Sequence, residues 1–377
     1  MDRFHTFLML LLFVNMLTKI GRELINGPTE GSKKDWPYDG REKEKGFLYQ
    51  IISNKQSGID VDKWDYFARD CYHLGMKSSF DHMRCIKMAR VIDVDGNRHI
   101  CFRDKEANNI YEMFHVRANL HRRAYQHKTS NAIEHMITDA LVEVDPYLLF
   151  EGKEGKKLKM SEAIHDMEAY TKLTDQVYHQ ILHASVPQPE EVDSDKDKDK
   201  AKSFEKARQI LERIERRELY RFIDERSTKE NISCEDVDKD DILEKAKMSG
   251  DKKEDIILDK VKFDYGRKEE DPVKNVYFYK KKTQDKASGL EEHEVSYMWP
   301  KVFLEWKIRL YLRKTELDEN KTKQLKDGFG GWFKQRVDEK ERAASSSGAA
   351  GREDETPEKE PEAHDGSTGK EEATISK

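Results

Sequence analysis

Paired cysteines, bilayer-length apolar runs and a dominant charge sign are all missing from this chain. Its four cysteines, Cys71, Cys85, Cys101 and Cys234, contain no Cys-x-x-Cys spacing. That argues against a zinc ribbon or a disulfide framework and makes a reducing compartment the expectation. No apolar stretch approaches the roughly 20 residues that cross a bilayer, so no membrane partner is expected. The longest, Phe7 to Leu17, has the length of a signal-peptide core, but Asn15 interrupts it, Asp2 offsets Arg3 and no small-residue cleavage site follows. Secretion is therefore not expected, and 1–18 reads as an apolar leader. Lys and Arg number 69 against 75 Asp and Glu, a net charge of -6, so the total gives no general pull toward nucleic acid or a membrane surface.

What is abundant is charge of both signs, 38% of 377 residues, with a mean hydropathy of -0.94. Two domains or one large one fit the length, together with long solvated segments. The organising stretch is Asn109 to Lys128. Ile110, Met113, Phe114 and Leu120 recur at helical spacing and form an apolar face. Arg117, His121 and Tyr125 follow at i, i+4 and i+8, which stacks a guanidinium, an imidazole and a phenol along one side of a helix. Arg122, Arg123, His127 and Lys128 crowd the same end. Such a set suits a phosphorylated, ring-containing small molecule; it also suits a solvated basic face.

Upstream, Phe47, Leu48, Ile51 and Ile52 make a short helical stripe ended by Gly58. Asp60 or Asp62 then caps a helix whose buried side is Val61, Trp64, Phe67, Ala68, Cys71 and Leu74, stopped by Gly75. Its polar side repeats Asp62, Tyr66 and Asp70. Asp62, with Lys63 beside it, either binds a cation or serves as a cap or dipole partner. Cys85 to Val94 and Arg98 to Arg103 read as a hairpin around Asp95-Gly96-Asn97. Helices are expected through Ile133 to Val144 and from Ser161 to Ala184.

Pro187 to Ser203 alternates Asp and Lys and is expected to stay unfolded. Phe204 to Phe222 reads as a basic amphipathic helix carrying Arg213, Arg216, Arg217 and Arg221. Strands are expected at Ile256 to Tyr265 and Val273 to Lys281, and helices at Val302 to Leu312 and Leu317 to Val337. The segment from Ala343 onward is expected to be disordered. The fold class expected is mainly α with small antiparallel β elements.

The sequences GIDVDKWDYFARDCYHLG, ARVIDVDGNRHICFRDKEANNIYEMFHVRANLHRRAYQHK, MITDA and DMEAYTKLTD together resemble one family. It is the vertebrate deoxynucleoside triphosphate triphosphohydrolases, which join a SAM domain to an HD domain. The resemblance runs from about Ile20 to about Arg336, apart from the charged linker and Asn231 to Asp251, and is strongest from Trp36 to Asp175. It implies a mostly helical, metal-dependent hydrolase that splits a dNTP, dGTP included, into a deoxynucleoside and triphosphate. It also implies a tetramer assembled by GTP and dNTPs at allosteric sites, in the nucleus or the cytoplasm.

On that template Asp62 matches a ligand of a divalent metal (Mg, Mn, Fe or Zn). Lys63 and Arg117 match triphosphate contacts, with His121 beside them. Tyr66 and Asp70 match sugar contacts, and Tyr125 the aromatic that packs on deoxyribose. Arg84, Arg103, Lys105, Asn109, His127, Lys128, Arg217, Arg221 and Lys281 match allosteric nucleotide contacts. The domains implied are 19–186, the C-terminal part of an HD-type core; 187–203, a linker; 204–342, an α+β lobe for oligomerisation and allostery; and 343–377, a tail.

The pattern departs from the family upstream, where the catalytic histidine, the SAM domain and the first half of the GTP site have no match. The family's metal centre also takes a His and a His-Asp pair from well upstream of the residue matched by Asp62, and His5 is the only histidine before Asp62 here. His165-Asp166 and His364-Asp365 fall elsewhere and read as accidental. One carboxylate does not make a catalytic metal site. The expectation is therefore a truncated relative that binds nucleotides, is inactive alone, and associates with itself or with a full-length homologue. Two alternatives are an active enzyme whose chain extends upstream or whose site a partner completes, and a binder of single-stranded nucleic acid using Arg213 to Arg221 and Lys280 to Lys282, with steep salt dependence. The apolar faces near Asp62 and Leu120 are expected to lie uncovered.

Overall fold

The structure, a computed structural model, describes residues 19–28, 36–185, 194–248, 253–314 and 318–349. The expected leader 1–18, most of the tail and residues 186–193 of the expected linker lie outside the described residues. Residues 19–26 form helix α1. Its buried Glu23 accepts hydrogen bonds from Asp39 N, Gly40 N and the Tyr49 hydroxyl.

The first core is built around two helices, α2 (Val61–His73) and α4 (Ala107–Leu120), with the short α3 (His82–Lys87) between them. Ile110, Met113, Phe114 and Leu120 are all buried, as their spacing requires. They meet Phe67 and Cys71 of α2. Asp60, and not Asp62, caps α2: its carboxylate accepts from Lys63 N at 3.1 Å and from Asn54 N at 3.1 Å. Gly75, at φ 65°, ends the helix region in a left-handed conformation that a side chain would strain. The short helix expected near Phe47 is a 3₁₀ turn, Lys43–Gln50, which leaves Ile51 and Ile52 exposed.

The hairpin forms as β1 (Ala89–Val94) and β2 (Asn97–Arg103). Its turn places Asp95 and Gly96 at φ 53° and 75°, the mirror-image turn that matches strand twist. Two details differ from expectation. Cys85 to Lys87 lie in α3, where Asp81 caps through Arg84 N. The sheet is mixed, because β2 pairs in parallel with β7 (Phe278–Lys280), which pairs antiparallel with β8 (Thr283–Ser288).

Helix α5 (Lys128–Val144) follows, then a small ladder of β3 (Leu149–Glu151) and β4 (Lys157–Lys159). The single helix expected over Ser161 to Ala184 is instead three short ones: α6 (Met160–Ala163), α7 (Met167–Tyr170) and α8 (Val177–Leu182). Asp166 breaks the run. Its carboxylate caps α7 through Glu168 N and Ala169 N and also accepts from Lys153 N at 3.1 Å. Asp166 is thus occupied by backbone N–H groups.

Helix α9 (Asp195–Glu215) starts inside the stretch expected to be unfolded. Asp195 and Asp197 occupy the first turn, where the helix dipole favours acid. Phe204, Ala207 and Leu211 pack on Ala140 and Val144 of α5, anchoring the helix. The basic helix expected to reach Phe222 stops at Glu215, and Arg221 opens β5 (Arg221–Thr228).

The C-terminal lobe is a three-stranded antiparallel sheet in the order β5, β9 (Leu304–Leu312), β6 (Ile256–Asp264). Val302 to Leu312 is thus a central strand and not a helix. Alternating Leu304, Trp306, Ile308, Leu310 and Leu312 suits a strand, and pairing on both edges fixes it. Helices α10 (Asp236–Lys245) and α12 (Glu319–Ala349) cover the sheet. Leu325, Phe329 and Trp332 of α12 are fully buried there. Helix α12 extends into the expected tail as far as Ala349. A short α11 (Glu292–Val295) completes the described elements. The fold is mainly α with small antiparallel and mixed sheets, an α+β arrangement. Of the two faces expected to be uncovered, that of Leu120 is closed at 0% exposure; on that of α2, Phe67 and Cys71 are buried, whereas Val61 and Leu74 are 41% and 51% exposed.

Candidate functional site

The substrate-type residues picked out in the sequence converge where α2 packs on the end of α4. Helix α4 does not run straight through: His121–Tyr125 is a π-helical turn. Such a widened turn inserts an extra residue and re-aims side chains, and it is common at functional sites. His121 and Tyr125 meet edge-on with ring centres 5.1 Å apart. The Tyr125 hydroxyl donates to Asp70 of α2 in a short hydrogen bond. The Tyr66 and Tyr125 rings lie 6.4 Å apart. Burial raises the Tyr66 phenol above its ordinary value, and Arg117, which also hydrogen-bonds it, pulls the other way. Burial and the Asp70 bond push the Tyr125 phenol up.

Arg117 is held from behind by Asp264. Its Nη1 donates to the Asp264 carbonyl at 2.7 Å and to Oδ1 at 3.1 Å. Lys63 donates its Nζ to Asp60 at 2.8 Å, one residue before α2 begins. The site thus gathers two cationic groups, an imidazole, two phenols and a carboxylate over about two turns of each helix.

Asp62 is exposed on the first turn of α2. The nearest acid in sequence, Asp60, is 4% exposed and already occupied by Lys63 and two backbone N–H groups. Among the described residues no group of three or more His, Cys, Asp or Glu side chains could hold a metal ion. The described residues therefore do not make up a catalytic metal centre by themselves.

The residues expected to make allosteric contacts fall into two groups. Around the start of α4, Arg84 Nε donates to Glu106 Oε1 at 2.7 Å and Asn109 Nδ2 to Glu106 Oε2 at 3.2 Å, with Glu106 fully buried. Arg103 pairs with Asp104 at 3.5 Å. Lys105 and Lys280 line a cavity of about 490 Å³, and Lys281 follows Lys280 at the end of β7. The second group sits around the start of α5. His127 caps it through Thr129 N, and Lys128 lies 4.6 Å from the centre of the Phe222 ring. Arg217 holds a left-handed φ of 63° after α9, and Arg221 opens β5. Within the basic stretch offered for nucleic acid, Arg216 is paired with Glu212 and Glu218, and Lys280 with Glu294.

No protein-family model matches the chain. Curated relatives do. The deoxynucleoside triphosphate triphosphohydrolase SAMHD1 of Xenopus laevis is 45% identical over 310 residues, 80% of this chain and 46% of its own length. The human SAMHD1 is 45% identical over 305 residues, again 46% of its length. A SAMHD1 homolog of Dictyostelium discoideum is 33% identical over 291 residues, half of its length. The chain resembles a portion of the SAMHD1 triphosphohydrolases. It spans about half the length of the curated relatives it matches.

Two residues stand out that sequence reasoning missed. Asp264 contacts Arg117 from 147 residues away, so no local spacing announces it. Glu106 sits one turn from Asn109 within DKEANN, and only its complete burial distinguishes it from its charged neighbours.

Burial first and Arg117 second lower the His121 imidazole below its ordinary value, against a weaker opposite pull from Asp264. Between that lowered value and the unfolded value of about 6.5 the unfolded chain binds more protons, so stability falls as pH falls through this window. His121→Gln is expected to flatten the stability curve there relative to the wild type. Chemical denaturation between about pH 7 and 5 measures it, and an unchanged slope contradicts the assignment.

Proposed function

We propose that the cleft between α2 and the end of α4 binds a deoxynucleoside triphosphate, and that this chain does so without completing a hydrolytic centre by itself. The supporting observation is the convergence of Tyr66, Asp70, Arg117, His121 and Tyr125 from two helices onto one locus, with Lys63 one turn before Tyr66 on α2. In this reading Arg117 and Lys63 contact the triphosphate, because a guanidinium fork and an ammonium suit phosphate oxygens. His121 stands beside them. Tyr66 and Asp70 contact the sugar, and Tyr125 packs on the deoxyribose face.

The reading extends to the rest of the chain. Residues 19–186 act as the core and 204–342 as a lobe for assembly and regulation. GTP or dNTP binds as an allosteric ligand at the two basic groups, one containing Arg84, Arg103, Lys105, Asn109 and Lys281, the other His127, Lys128, Arg217 and Arg221. The first group lies at the start of α4 and the second just after the π turn, at the start of α5. The nucleus is the proposed location. Asp62 contributes one carboxylate toward a divalent metal, whose remaining ligands would have to come from elsewhere.

A product assay tests this. The purified chain is mixed with dGTP, GTP and Mg²⁺ or Mn²⁺. The expected result is retained nucleotide with no deoxyguanosine or triphosphate formed. Product that disappears in Asp62→Ala would mean the metal centre is complete and would overturn the non-hydrolytic reading.

A further inference from the structure

The segment that leaves β6 runs from the C-terminal lobe onto α4 and the turn before α2. Asp264 holds Arg117. The Tyr265 hydroxyl lies 3.3 Å from His115 Nδ1. Arg267 donates to the carbonyls of Lys55 and Gln56, just before α2, and Asp271 accepts from the Tyr111 hydroxyl of α4. Three of these contacts therefore tie this strap to α4, and Arg267 ties it to the turn that precedes α2.

Asp264 is the most committed member. Its Oδ1 accepts from Arg117 Nη1 at 3.1 Å and from Gly266 N at 2.8 Å. Its Oδ2 accepts from Lys262 Nζ at 2.6 Å. The carboxylate is 11% exposed and the Arg117 side chain 19% exposed. Gly266, at φ 90°, lets the chain turn tightly beneath the guanidinium, 3.6 Å from its Nε even for an added Cβ. Arg117 thus spends one nitrogen, Nη1, on the strap. On its other side it also hydrogen-bonds the Tyr66 phenol.

We infer that Asp264 is a positioning residue: it orients Arg117 for the triphosphate and so makes the grip of the cleft depend on where the C-terminal lobe places the end of β6. This rests on the proposed role of Arg117 as a phosphate contact. A side chain fixed through one edge loses less freedom on binding through the other. The C-terminal lobe then acts on the cleft without touching the nucleotide. The chemical class read through this contact is the polyphosphate and not the base.

The test is a double-mutant cycle on the full chain, with dGTP and deoxyguanosine as probes and calorimetry as the readout. Asp264→Ala is expected to weaken dGTP binding about tenfold in the Arg117 background, as loss of one charge-assisted contact does, and less than twofold once Arg117→Ala is present. Asp264→Asn, which keeps an oxygen acceptor, is expected to restore most of the affinity. Deoxyguanosine affinity should not change in any variant, whereas a merely structural role would weaken both probes together. Equal weakening of dGTP in both backgrounds, or parallel loss of deoxyguanosine, overturns the positioning role and leaves the cleft reading standing. Unchanged dGTP binding in Arg117→Ala, or no dGTP binding by the wild type, overturns both.

Discussion

Arg117→Ala is expected to lower the affinity of the chain for dGTP by roughly 10- to 100-fold, the span of about 1.5–3 kcal/mol carried by hydrogen bonds to a charged partner. Two effects add in the same direction. The guanidinium no longer meets the phosphates, and Asp264 is left with only Lys262 and Gly266 N as partners at the edge of the cleft, so an uncompensated share of its negative charge faces an anionic ligand. The loss should shrink as salt is raised, because part of it is Coulombic. Calorimetric titration at two ionic strengths measures it. An affinity within twofold of wild type at low salt would show that the triphosphate is held elsewhere.

Trp332→Ala is expected to destabilise the C-terminal lobe by about 3–5 kcal/mol, the range for truncating a fully buried large aromatic. Trp332 is 0% exposed, its ring centre is 5.7 Å from that of Phe329 in a stacked pair, and its Nε1 donates to Asp238 of α10 at 3.3 Å. The substitution removes the apolar volume between α12 and the β5–β9–β6 sheet and strips a partner from the buried Asp238 carboxylate. Because β6 ends in Asp264, the same change should loosen the hold on Arg117. Urea denaturation followed by tryptophan fluorescence reports the lobe, the other tryptophans serving as probes. A shift equivalent to less than about 1 kcal/mol would mean that the α12 contact contributes little to the lobe.

The convergence of the candidate-site groups was largely legible because they lie on two helices whose registers are local properties. Asp62, Tyr66 and Asp70 repeat every four residues, as do Arg117, His121 and Tyr125, and the apolar spacing of Phe67, Ile110, Met113 and Phe114 turns those faces toward each other. The π turn at His121–Tyr125 has no spacing signature and changes the aim of the last two residues. Asp264 was illegible for a different reason: its role depends on the β6 strand of another lobe ending against α4.

The misreadings share a cause. Leu304 to Leu312 carries apolar residues that fit a helix stripe as well as an alternation, and the choice was made by strands β5 and β6, some 80 and 50 residues away in the chain. Asp195 to Ser203 has almost nothing to bury, yet it is carried by a helix that Phe204, Ala207 and Leu211 anchor on α5, since extending a helix costs far less than starting one. The run from Ser161 to Ala184 keeps helical spacing throughout, but Asp166 spends its carboxylate on capping α7 and on the backbone of Lys153, which a continuous helix would forbid.

The central claim, that the cleft between α2 and the end of α4 is where a deoxynucleoside triphosphate binds, is tested most directly by amide hydrogen exchange with and without dGTP. The account predicts slower exchange concentrated in 61–73 and 117–125, with the strap at 264–271 protected alongside them and the same pattern lost in Arg117→Ala. Protection confined to the basic groups near the starts of α4 and α5, with 61–73 and 117–125 unchanged, would contradict it.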